Sequence, residues 1–113
     1  MAQQQSLDSI FLALADPTRR AVIARLGRQS ASVSELAEPF AMALPSFMKH
    51  IAVLENAGLI RTAKRGRVRT CEIDRDRLGL IDGWLAEQRR LWEGRTDRLE
   101  DFLRNTENKD ATE

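Results

Sequence analysis

Apolar residues recur at helical spacing in several stretches of this chain and at strand spacing in one. Leu7, Ile10, Phe11 and Leu14 mark one face of a first helix, with residues 1–6 expected to be disordered. Asp16 followed by Pro17 reads as an N-cap and first turn, opening a second helix with Val22, Ile23 and Leu26 as its buried stripe. The polar segment Gly27 to Ser32 breaks that helix, and a short strand is expected near Ser32-Val33. Ser34 with Glu35 begins a third helix whose inward face would be Leu36, Ala37 and Phe40, and Pro39 keeps it short. Pro45 suits the first turn of a fourth helix, because its missing N–H would lack a partner there anyway. Phe47, Ile51 and Leu54 follow at spacings of four and three, and Gly58 sits where a C-terminal cap is wanted. The strand formers Ile60, Thr62, Val68, Thr70 and Ile73 then flank KRGR, whose Gly66 can take the positive φ of a tight hairpin turn.

Two short helices joined by a bend and followed at once by a hairpin form a winged helix-turn-helix. The fold expected is mainly α with a small β-hairpin wing and about five helices. It comprises one domain over residues 7–104, with the helix-turn-helix at 34–58, the wing at 60–73 and a last helix at 77–104. Residues 105–113 are polar and expected to be a disordered tail. In the last helix, positions 81, 85, 88, 92, 95, 99 and 102 alternate steps of four and three, the seam of helix-on-helix packing, interrupted by Gln88 and Arg95. A helix of about 25 residues would be ~38 Å long, more than so small a domain can cover. One edge is expected to pack on residues 7 to 14. The other is expected to meet a second copy across a two-fold axis, through Leu7, Ile10, Phe11, Ile81, Trp84, Leu85, Gln88, Leu91, Trp92 and Leu99.

Charge adds a ligand to this picture. Between Arg61 and Arg77 stand seven basic residues against three acidic ones, in a chain of net charge +1. Lysine and arginine neutralise phosphates, so a local excess beside a helix-turn-helix points to double-stranded DNA. On the fourth helix, Pro45, Ser46, Met48, Lys49 and, at the edge, His50 occupy the face that would enter a major groove. Arg61, Lys64, Arg65, Arg67 and Arg69 of the wing would meet the backbone. Two such heads face half-sites about 34 Å apart on a palindromic operator. The alternative is a winged-helix module that binds protein without reading DNA.

Composition narrows the class further. The longest apolar run, Ile10 to Ala15, is six residues, far short of a membrane span. MAQQQS lacks the features of a secretion signal. A soluble, cytoplasmic protein without membrane contact is expected. The single Cys71 fits a reducing compartment. There is no glycine-rich phosphate loop, no tyrosine and no partner set for the one histidine, so neither catalysis nor a cofactor is expected.

ALADPTRRAVIARL, followed by SELAEPF, PSFMKHIAVLENAGLI and RGRVRTCEI, resembles the ArsR (arsenical-repressor) family of bacterial winged-helix transcriptional regulators, from about Leu7 to Phe102. The resemblance implies a homodimeric repressor that leaves or changes its operator when an effector binds. It also implies that Ser46, Lys49 and His50 lie on the recognition helix and that Arg61 to Arg69 form the wing. Metal-sensing members carry cysteines on the helix matching Ser34 to Phe40, or acidic and histidine ligands on the last helix. Here the first has no cysteine and the last no histidine, so no metal site is expected. The closing WLAEQRRLWEGRTDRLEDFL is similar to a metal-ligand-free branch of the family, and the effector stays unidentified.

Several residues carry two readings. Met48 stands where the family usually places serine, so it either contacts a thymine methyl or packs under the helix. His50 either donates to a phosphate or bonds a neighbour through one ring nitrogen. Arg19 and Arg20 are expected to pair with carboxylates. Cys71 is either a buried inert thiol or a redox sensor. Trp84 and Trp92 serve dimer or core packing, or line an effector pocket.

Overall fold

The computed structural model describes residues 2–111, with side chains described for 6–95 and 98–106. The order of elements is α1 (Ala2–Leu14), α2 (Pro17–Leu26), β1 (Ala31–Ser32), α3 (Val33–Ala37), α4 (Leu44–Asn56), β2 (Ile60–Arg65), β3 (Val68–Ile73) and α5 (Arg75–Ala111). This is the winged helix-turn-helix arrangement, with five helices and a three-stranded antiparallel sheet ordered β1-β3-β2. The residues up to Leu80 form one compact unit and those from Ile81 a second.

Local chemistry explains where each helix starts and stops. Asp16 Oδ1 accepts from the backbone N–H groups of Thr18 at 2.8 Å and Arg19 at 3.2 Å, filling two donors that a helix start leaves unpaired. The cap of α3 is Ser32, two residues before the expected Ser34. Ser32 Oγ accepts from Glu35 N–H at 3.1 Å, and Glu35 Oε1 accepts from Ser32 N–H at 3.2 Å, a complete capping box. The helix therefore begins at Val33, which is buried with Leu36, while Ala37 and Phe40 are only half-buried. Phe40 nonetheless lies against the α4 core residue Phe47, their ring centroids 5.6 Å apart.

At the end of α4, Gly58 has φ +76°. Its N–H donates to Glu55 O at 2.9 Å, and Leu59 N–H donates to Leu54 O at 3.0 Å. That is a Schellman termination, which needs a left-handed residue at this position. Arg77 closes over the same turn, its Nε donating to Ala57 O at 3.0 Å. A side chain at Gly58 would put its Cβ 2.8 Å from that Nε.

The core of the first unit is formed by Ile10, Ala13, Val22, Leu26, Leu36, Phe47, Ile51, Leu54, Leu59 and Ile60. α4 crosses it, packing on α1, α2 and β2. Three expectations change. Ile10 is fully buried within the protomer, so it has no surface to offer a second copy. Phe11, expected on the same inward face, is 41% exposed, because the buried stripe of α1 runs through Ile10 and Ala13. Residues 2–6 and 105–111, expected to be disordered, continue α1 and α5 as helix; Met1, Thr112 and Glu113 lie outside the described residues.

α5 spans 37 residues rather than about 25, a length of about 55 Å. No proline interrupts it, and half of its polar residues are helix-forming arginine and glutamate. An Arg104–Glu100 pair at 3.6 Å supports its last turns.

Candidate nucleic-acid interface

α4 divides into a buried and an open face. Phe47, Ile51 and Leu54 hold it to the core, and Pro45, Ser46 and Lys49 are exposed on the other side. Met48 is half-buried. It lines a cleft of about 410 Å³ with Ser32, Val33, Ser34 and Leu44 on one side and Lys64, Arg67, Val68 and Arg69 of the wing on the other. The helix and the wing therefore share one concave surface with three cations on its wing side. Leu44 and Val68, 55% and 52% exposed, belong to this surface although the sequence singled out neither as a contact. Leucine before a proline reads as the end of a loop, and the strand pattern gave Val68 only a structural role.

The wing's charges are sorted by strand register. β2 pairs with β3 so that Thr62 faces Cys71 and Lys64 faces Arg69, while Arg61 faces Glu72 and Arg65 faces Val68. Side chains opposite one another share a face and alternate ones do not. Lys64 and Arg69 thus rise on the side whose base, Cys71, is buried in the core, and Arg61 and Arg65 rise on the other. Arg61 and Arg65 line a separate recess with Ser30, Thr62, Ala63, Thr70 and Glu72. Gly66 has φ +62° and, among the described residues, no non-glycine residue has positive φ, the signature of a two-residue type II′ turn.

The seven basic residues of this region are not equivalent. Arg61 donates to Glu72 Oε1 at 3.0 Å across the strands. Arg69 donates to Thr62 Oγ1 at 3.0 Å, and that hydroxyl donates in turn to Glu55. Arg75 donates to Gly27 O at 3.2 Å, and Arg77 to Ala57 O and to Ser6 Oγ. The last two are fastenings of the fold. Lys49, Lys64, Arg65 and Arg67 make no hydrogen bond or ion pair with the described residues.

His50 is drawn toward the protein. Its Nδ1 lies 3.1 Å from Arg19 Nη1 and 3.9 Å from Asp16 Oδ1. Arg19 and Arg20, expected to pair with carboxylates, instead cap the end of α1: Arg19 donates to Ala13 O and Leu12 O, and Arg20 to Leu14 O. The open carbonyls of a helix end attract such cations. Desolvation works to raise the Asp16 carboxyl. The N–H of Arg19, the charge of His50, the N–H of Thr18 and the charge of Arg19 outweigh it and hold the group below its ordinary value.

Cys71 is fully buried. Burial, reinforced by Glu55 and opposed by Arg69, pushes its thiol up, which disfavours the reactive thiolate. Among the described residues no three His, Cys, Asp or Glu side chains cluster to hold a metal ion, and no helix is long and apolar enough to cross a membrane.

A helix-turn-helix domain profile matches residues 14–63, the span from the end of α1 into β2. A crystal structure of an ArsR family transcriptional regulator is 62% identical, with a TM-score of 0.78, covering 80% of this chain and 93% of its own. The chain belongs to the ArsR family of transcriptional regulators. It is also 35% identical over 74 residues to the HTH-type transcriptional regulator Rv2034 of Mycobacterium tuberculosis, covering 66% of this chain and 69% of that one. The fold is shared by the solution structure of a homodimeric winged helix-turn-helix DNA-binding domain from Mycobacterium bovis. That domain is 18% identical with a TM-score of 0.63, over 80% of this chain and 85% of the other. This ArsR-family protein is accordingly a DNA-binding regulator with a winged helix-turn-helix.

Proposed function

We propose that this ArsR protein is a homodimeric repressor that binds a palindromic operator, with α4 in the major groove and the wing on the flanking backbone. The observation that carries the reading is the shared cleft. Leu44 and Met48 of α4 and the cations Lys64, Arg67 and Arg69 line one concavity, so a duplex entered by the helix meets wing charge at the same time. Ser46, Met48 and Lys49 face bases and phosphates, and Pro45 sets the angle at which the helix enters. Met48, already within the cleft, offers its thioether to a thymine methyl.

Dimerisation rests on the second unit. Leu85, Leu91, Leu99, Phe102 and Leu103 are all more than a third exposed in the single chain. Repeated on one long helix, they need a partner to leave water. The homodimeric M. bovis domain supports a second copy as that partner.

The test is a salt series. Duplex DNA from upstream of its own gene should be retarded at low salt, with affinity falling steeply as salt rises, as phosphate neutralisation demands. Absence of binding at low salt would instead favour a protein-interaction module.

A further inference from the structure

One polar cluster ties α4 to the first two helices, and its chemistry determines which nitrogen of His50 carries the hydrogen. Arg19 is held in place by two bonds to the end of α1, from Nε to Ala13 O at 2.6 Å and from Nη2 to Leu12 O at 3.1 Å. Its remaining arm, Nη1, lies 3.1 Å from His50 Nδ1. A guanidinium has donors and no acceptor at any accessible pH. Nη1 therefore donates, and Nδ1 accepts. A neutral imidazole that accepts at one nitrogen carries its proton on the other, so the proton sits on Nε2. Among the described residues no polar side-chain atom is buried without a hydrogen-bond partner, and Nε2 makes no hydrogen bond to them. It therefore reaches solvent, and Lys49, the residue before it on α4, is exposed as well.

We infer that Arg19 is a positioning residue for DNA binding: it fixes the Nε2–H tautomer of His50 and thereby presents a solvent-facing N–H donor on α4 to a phosphate oxygen. This rests on the proposed seating of α4 on DNA. The two contacts that hold Arg19 come from α1, so the last turn of the first helix contributes to the interface without touching DNA. Asp16 completes the arrangement. Its Oδ1 is 3.9 Å from the same Nδ1 and is itself held by two N–H groups at the start of α2. Protonation of Nδ1 would remove the acceptor, set the ring against Arg19 and favour Asp16, so the tautomer is defined only for the neutral ring.

The chain has one histidine, so a two-bond ¹H–¹⁵N spectrum of the full chain reports this ring alone. It is recorded without DNA at about pH 8.5, well above the ~6.5 of free imidazole. The expected result is an unprotonated Nδ1 and a protonated Nε2, with the two nitrogens averaging toward each other in Arg19→Ala. On duplex DNA from upstream of its own gene, at the same pH, His50→Ala should weaken binding about tenfold, the worth of one hydrogen bond to a charged oxygen. Arg19→Ala should weaken it comparably, and the double variant no further than the worse single one. His50→Gln, whose terminal amide lies where Nε2 does, should recover most of the affinity, whereas His50→Asn should not. A proton found on Nδ1, wild-type affinity in His50→Ala, or fully additive losses would overturn the inference. The His50 variants leave the Arg19 bonds to α1 in place, so they remain informative if Arg19→Ala weakens the fold. A wild-type chain that binds no DNA overturns the function, whereas a proton on Nδ1 overturns only the His50 assignment.

Discussion

Ser32 and Glu35 each satisfy the other's backbone N–H, so the start of the helix-turn-helix depends on a pair of side chains outside the DNA-facing surface. Ser32→Ala should cost about 1 kcal/mol, the usual worth of an N-cap, read as a lowered urea midpoint with an unchanged slope. Glu35 adds a pH dependence. Its carboxyl is held below the ordinary range by the N–H and then the hydroxyl of Ser32, with Arg25 at 3.9 Å contributing against desolvation. Because the folded value is the lower one, the stabilisation is complete above the ordinary glutamate pKa of ~4.3 and is lost as pH falls through the depressed value. Glu35→Gln can still complete the capping box but cannot titrate. Its acid-unfolding curve should lose part of the wild-type slope below that pH, and at neutral pH it should be slightly less stable, lacking the charge that strengthens the bond to Ser32. A curve identical to wild type would show that Glu35 is not the titrating group. The same residues mark how far sequence reading went. The Ser-x-x-Glu spacing of Ser32 and Glu35 was present in the chain, but Ser34 beside Glu35 imitated it. The bond from Arg19 to His50 spans 31 positions, and no local pattern announces a contact of that separation.

At the scale of elements, the helices were legible because proline, aspartate and glycine punctuate them, and the hairpin because strand formers flank Gly66. The division of the wing's charge was not, since it depends on the register of β2 against β3. A run such as RTAKRGRVRT reads as one basic patch until pairing assigns alternate residues to opposite faces. That division makes unequal contributions expected from residues of equal charge. Lys64→Ala and Arg67→Ala should each weaken operator binding and flatten the dependence of log affinity on log salt by about 0.9, one phosphate's worth. Arg61→Ala should change both less, because Glu72 already neutralises that guanidinium at 3.0 Å. Glu72→Gln should therefore strengthen binding at low salt by releasing Arg61, and the gain should vanish at high salt. Equal losses at Arg61 and Lys64 in fluorescence anisotropy titrations would mean that the register does not govern the wing's contact with DNA.

For the whole molecule, the central question is what keeps the apolar side chains of α5 out of water. The alternation of four and three made a packing helix legible in the sequence, but not its 37-residue extent. A helix stops at proline or a competing cap, and neither follows Arg75; Gly79, Gly83 and Gly94 only weaken it. Leu99 is 58% exposed and Phe102 66% exposed in the single chain, so an aspartate at 99 removes little packing from the protomer. Across a two-fold axis the same change acts in both copies. Burying one leucine is worth ~1.5–3 kcal/mol, and a carboxylate in its place must also be desolvated. Leu99→Asp should therefore raise the dimer dissociation constant at least about a hundredfold, at roughly 1.4 kcal/mol per tenfold, with helix content preserved at concentrations where both forms are folded. Sedimentation should show the variant as a monomer where the wild type is a dimer. Binding to a palindromic duplex should fall toward that for an isolated half-site, because the second head no longer arrives tethered to the first. A variant that stays dimeric would remove Leu99 from the interface and leave Trp84, Leu91 and Trp92, nearer the start of α5, to account for the association.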